Sequence, residues 1–183
     1  MENPRIFTAN SEAEIWQQVT ADMALQGEIY EYSAQLNQGK QQILLDIDID
    51  LGGGFESGFE STTLTARVSD DVALRFAIHE QDWVSELGKL LGLEDIEIGY
   101  PDFDEAFIIK TNEPATLHTL FADGNLRAIL LNHKGFELTL APETHHSETD
   151  IVLRFSKDEG IVEAADLQQL YHLMYALLER LNP

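Results

Sequence analysis

Between Gln41 and Leu51 the chain alternates: Ile43, Leu45, Ile47, Ile49 and Leu51 point one way, and Leu44, Asp46, Asp48 and Asp50 the other. Successive side chains on a strand project to opposite faces, so this pattern predicts a strand with one dry and one mostly charged face, hence a two-sided antiparallel sheet. Upstream, Glu28 to Leu36 alternates as well, with Tyr30, Tyr32, Ala34 and Leu36 on one side, and Asn37-Gln38-Gly39-Lys40 supplies turn residues. Downstream, Thr62, Leu64, Ala66 and Val68 give a third strand. Val72, Leu74, Phe76 and Ile78 give a fourth across the turn Ser69-Asp70-Asp71, so a meander is expected. Phe136 to Ala141 and Ile151 to Ser156 read as two more strands, separated by a long loop from Pro142 to Asp150.

Helical spacing marks the rest. Ser11 and Glu14 stand at capping-box distance, and Ile15, Trp16, Val19 and Met23 recur at helical intervals until Gly27. Trp83, Leu87, Leu90 and Leu91 predict a helix ending near Gly92, and Ile96 with Ile98 a short extended piece stopped by Gly99 and Pro101. A helical turn over Asp102 to Ala106 precedes a buried strand over Phe107 to Lys110. Asn112 and Pro114 open a helix through Phe121, and Leu126 to Leu131 continues helically beyond Asp123-Gly124. From Glu163 onward, Leu167, Leu170, Tyr171, Met174, Leu177, Leu178 and Leu181 form one broad stripe that a closing helix would lay across the sheet. The expected fold class is therefore α+β, a two-layer domain over residues 1–183 with a mostly antiparallel sheet, helices on one face and a long C-terminal helix.

Charge narrows the function more than it defines it. The chain holds 11 Lys and Arg against 33 Asp and Glu, a formal net charge of −22, which repels phosphate backbones and anionic lipid headgroups. Nucleic acid and membrane surfaces are thus unfavoured partners. The same charge suits a basic or mixed-surface protein, and equally a solvated surface in salty surroundings. There is no cysteine, which removes disulfides, thiolate metal sites and Cys nucleophiles. No stretch nears the roughly 20 apolar residues of a membrane span, and Met-Glu-Asn-Pro-Arg lacks the apolar run of a signal peptide, so a cytoplasmic monomer or homodimer is expected.

One stretch is familiar. In Gly99-Tyr-Pro-Asp-Phe-Asp-Glu-Ala-Phe107, followed by Ile108, Ile109, Lys110, Asn112 and Pro114, the chain resembles a group of bacterial proteins of unknown function that share a Gly-x-Pro-x-Phe-Asp-x-x-Phe core. Tyr100 stands where that group usually carries an acidic residue. The resemblance implies element boundaries and no catalytic assignment. Physically, Phe103 and Phe107 can anchor one face of a helical turn, while Asp104 either caps it or pairs with Lys110. The order helix, strands, helix, strands, helix also resembles that of secretion-chaperone-like domains.

The candidate binding residues are Asp46, Asp48 and Asp50, spaced about 7 Å apart along one strand face, together with Phe55 and Phe59. Both phenylalanines lie in a tandem Gly-Phe-Glu-Ser repeat, Gly54 to Ser57 and Gly58 to Ser61, after Gly52-Gly53. Exposed, they would anchor a partner; folded over the sheet, they would form a lid. A straight row of carboxylates lacks the convergence of a calcium loop. His145 and His146 on an extended loop would point to opposite sides, and His79, His118, His133 and His172 are isolated, so surface histidines account for all six and no metal or cofactor is expected. Phosphate loops, dinucleotide fingerprints and nucleophile elbows are absent.

The sequence thus points away from an enzyme and toward a binding or protein-interaction module. The alternative is a small-molecule binder or hydrolase with a pocket between sheet and C-terminal helix, where Tyr30, Tyr32, Tyr171 and Tyr175 would supply hydroxyls.

Overall fold

The computed structural model describes residues 4–53, 57–80, 93–145 and 147–182. Phe55, His146 and the helix expected over Trp83 to Leu91 lie outside the described residues. Within them the chain runs β1 (Arg5–Ala9), α1 (Glu12–Gln26), β2 (Glu31–Gln38), β3 (Gln41–Asp50), β4 (Phe59–Val68), β5 (Phe76–His79) and β6 (Glu94–Asp95). It continues α2 (Pro101–Ala106), β7 (Ile108–Thr111), α3 (Pro114–Leu120), α4 (Gly124–Asn132), β8 (Phe136–His145), β9 (Glu148–Lys157) and α5 (Ala164–Leu181). The strands form one sheet in the order β1-β2-β3-β4-β9-β8-β5-β7-β6, antiparallel except for β1 beside β2. This mixed α and β architecture, with a mostly antiparallel sheet and a long C-terminal helix on it, agrees with the class the periodicities predict.

The helices cover the dry face. Tyr32, Ala34 and Leu36 of β2, Ile43, Leu45 and Ile47 of β3 and Leu64, Ala66 and Val68 of β4 are buried, as the alternation requires. The α5 stripe, Leu167, Leu170, Tyr171, Leu173, Met174, Leu177, Leu178 and Leu181, is buried and packs against β3, β4, α1 and α4. Each such side chain contributes about 1.5–3 kcal/mol on leaving water, so the stripe is a main source of stability. Ser11 caps α1 through its side chain, which accepts from the Glu14 amide.

Phe76, Phe121, Phe103, Phe107, Phe136 and Phe155 form a continuous chain through the core, with successive ring centroids 6.1, 5.6, 4.9, 5.1 and 5.5 Å apart. The familiar segment therefore supplies two links of an aromatic spine. Asp104 holds that segment by its carboxylate, which accepts from the backbone amides of Ile98 at 2.8 Å and Gly99 at 2.9 Å. Lys110 pairs instead with Asp95, at 3.1 Å. Tyr100 is sandwiched, with the Arg127 guanidinium 3.7 Å from one side of its ring and His118 stacked on it at 4.8 Å.

Four expectations need correction. First, β1 has no counterpart in the sequence reading; it joins β2 in parallel, and α1 makes the crossover that parallel neighbours require. Second, β4 and β5 are not neighbours, because the β8-β9 hairpin lies between them. Residues 72–75 are instead tied down as a connection: Arg75 donates to the carbonyls of Val72 and Leu74, and Asn112 bonds the Arg75 amide and the Ala73 carbonyl. Third, the supposed loop from Pro142 to Asp150 is mostly hairpin, with Pro142 opposite Ile151 and Thr144 opposite Thr149. Pro142 is tolerated because β5 reaches only as far as Leu140, so among the described residues β8 has no neighbour on that side at Pro142 to ask for an N–H. Fourth, His79 and His133 are buried, the one on a strand enclosed on both faces and the other capping α4.

Candidate functional site

Asp46, Asp48 and Asp50 are exposed on the sheet face that the helices leave open, each in a different setting. Asp46 accepts a hydrogen bond from the Ser33 hydroxyl at 2.6 Å. Asp50 accepts from the Gly52 amide at 2.9 Å, closing the end of β3. Asp48 stands between Glu31 of β2 and Ser61 of β4 in the register of the sheet. Like charges directly opposite across two strands repel, and among the described residues neither Glu31 nor Asp48 has a cation within ion-pair distance. Four of the arginines are engaged elsewhere: Arg5 with Asp22, Arg67 with Asp150, Arg154 with Glu143 and Arg180 with Asp123.

Phe59 opens β4 directly opposite Asp50, so the pairing runs further toward the glycine-rich connection than the sequence suggests. Gly58 makes this possible. A Cβ there would lie 2.2 Å from the Asp50 carbonyl oxygen and 2.8 Å from the Leu51 carbonyl carbon, so only glycine lets the returning chain cross so close. Phe59 is 53% exposed rather than folded over the sheet, Leu51 is 69% exposed and Tyr30 45% exposed. These three, with Glu31, Asp48, Ile49, Asp50 and Gly52, line one open depression of about 520 Å³. Two of the five residues singled out from sequence, Asp48 and Asp50, thus meet a third, Phe59, while Asp46 lies further along the strand.

Tyr30 and Leu51 are the members that periodicity misplaces. The alternation puts both on the dry side, but β2 starts at Glu31 and β3 stops at Asp50, so each projects past the end of the covered sheet. The adjacent Gly52-Gly53 is the sequence signal for where β3 ends. The Tyr30 hydroxyl donates to Glu28 at 2.7 Å, and this hydrogen bond together with the glutamate's charge raises its pKa.

The other candidates do not converge. Tyr32 and Tyr171 are core residues, the Tyr171 hydroxyl donates to Gln38 at 2.8 Å and its ring stacks on Tyr175, whereas Tyr30 is exposed at the far end of β2. Burial raises the pKa of both Tyr32 and Tyr171. Among the described residues no three of His, Asp and Glu are placed to hold a metal ion, and no helix is long and apolar enough to cross a membrane. No family model, no curated protein and no solved structure matches the chain.

Proposed function

We propose that this protein is a non-enzymatic interaction module that binds a basic or mixed-surface protein partner at the Tyr30–Leu51–Phe59 depression. The observation that carries the reading is the coincidence of three exposed, largely apolar side chains with a carboxylate pair, Glu31 and Asp48, that has no cation within ion-pair distance among the described residues, in one concavity. Large apolar side chains clustered on a surface this acidic cost solvation that folding does not recover, and such patches mark contact sites. Aromatic rings supply contact area and a face for a cation, and the carboxylates select a Lys or Arg side chain over neutral ones.

The fitting partner is a short segment carrying Lys or Arg beside an aliphatic or aromatic residue. An array of such peptides, probed with the wild-type protein and with Phe59→Ser and Leu51→Ser variants, tests it. Binding to basic-aromatic peptides that both substitutions remove, with melting temperature unchanged, supports the reading; an array on which the variants and the wild type give the same pattern refutes it.

A further inference from the structure

A second concavity, sharing no residue with the partner surface, lies where the segment from Tyr100 to Phe103 meets α4. It encloses about 530 Å³, and most of its wall is apolar, built from Pro101, Ala128 and Leu131 with the rings of Tyr100 and Phe103. Volume and lining both suit a small molecule, since such sites span roughly 300–1,000 Å³ and set a few polar groups among apolar ones. The charged groups here are Arg127 and Asp102.

Arg127 is the group the fold leaves unexplained. Four arginines pair with carboxylates and Arg75 is taken up by the carbonyls of Val72 and Leu74, whereas Arg127 has no carboxylate within ion-pair distance among the described residues. With 33 acidic residues against 11 basic ones, carboxylates are not scarce, so its isolation comes from where the fold puts it. It is also held in place. The guanidinium lies 3.7 Å from the Tyr100 ring centroid, His118 stacks on that ring, and Nη1 donates to the Phe121 carbonyl. Nη2 lies beside Gly124 on the cleft wall, 3.5 Å from where a Cβ on that residue would sit. A fixed planar fork with donors left over is the arrangement that receives a carboxylate through two parallel hydrogen bonds.

We infer that this cleft binds a free α-amino acid with an apolar side chain, its carboxylate on Arg127, its ammonium on Asp102 and its side chain against Pro101, Ala128 and Leu131. Charge selects the zwitterion. A plain anion meets Asp102 and a chain of formal net charge −22, and a plain cation meets Arg127. A zwitterion pairs with both and carries no net charge to be repelled. Asp102 is exposed and has no cation within ion-pair distance among the described residues, so its carboxylate is free to receive the ammonium.

L-Leucine serves as the probe, titrated into the intact chain and followed by calorimetry and backbone-amide NMR, with isocaproate and isoamylamine as the same skeleton lacking one charge each. Saturable leucine binding is expected, with shifts centred on residues 100–103 and 124–131. Each truncated analogue should bind about tenfold more weakly or worse, as the loss of a hydrogen bond to a charged group implies. Asp102→Asn, at an exposed position, should weaken leucine by the same factor at an unchanged melting temperature, while isocaproate binds no worse. Arg127→Gln should weaken leucine and isocaproate together, and Phe59→Ser should leave leucine binding unchanged, which separates this site from the partner surface. Non-saturating or scattered shifts would overturn the inference, as would isocaproate binding as tightly as leucine. A marked fall in melting temperature in Asp102→Asn would also overturn it, by showing that this carboxylate is committed to the fold.

Discussion

Glu31 and Asp48 face each other across the β2–β3 ladder, two carboxylates in direct register with no cation within ion-pair distance among the described residues. Opposed like charges at such positions destabilise a sheet by about 0.2–1 kcal/mol. Asp48→Asn should therefore raise the unfolding free energy by about 0.5 kcal/mol, read from chemical denaturation at low salt, and the gain should shrink as salt screens the repulsion. A loss of stability would mean that Asp48 has a structural partner.

Gly58 is where the hairpin's geometry is most demanding, because a methyl group there meets backbone, which cannot swing away as a side chain can. Gly58→Ala should destabilise by about 1–3 kcal/mol, the usual penalty for forcing atoms into a filled space. Gly53→Ala, whose added carbon meets nothing within 4 Å, should change stability far less. Comparing the two denaturation midpoints checks the claim.

Asp104 bonds two successive amides with one carboxylate, and both bonds are charge-assisted. Asp104→Ala should cost about 2–4 kcal/mol, since hydrogen bonds to charged groups contribute about 1.5–3 kcal/mol each and water replaces part of the loss. Loosening there should also disturb Phe103 and Phe107, visible as changed near-UV circular dichroism.

Asp123 caps α4. The Asn125 amide bonds its carboxylate and Arg180 pairs with it, which together hold its pKa below the usual carboxylate value. A lowered folded-state pKa gives stability that is fully present above the unfolded-state value and is lost as pH falls through the folded-state value. Asp123→Asn keeps the cap and removes the charge. The variant should melt below the wild type at neutral pH, and the gap should close in acid once Asp123 is protonated in both states; a gap that persists in acid would point to the cap rather than the charge.

Much of this was legible in the sequence because period-two and helical patterns report one-sided burial. The open face of β3 and the buried stripe of α5 are plain in Asp46, Asp48, Asp50 and in Leu167 to Leu181. Patterns fail where burial is two-sided or where elements end. All four residues of β5 are buried, so alternation there carries no information about neighbours, and the sheet order that separates β4 from β5 depends on long-range pairing. The candidate depression was half visible: Asp48, Asp50 and Phe59 stand out by type, whereas Tyr30 and Leu51 look like core residues until the strand ends are fixed.

The central claim is that the Glu31–Asp48 pair is kept, against its own repulsion, to receive a cation from a partner. Calorimetric titration of the tightest basic-aromatic peptide into wild-type and Asp48→Asn protein decides it. The account predicts that the substitution weakens binding about tenfold, the scale of one charge-assisted hydrogen bond, while making the fold more stable; undiminished affinity in Asp48→Asn would contradict it.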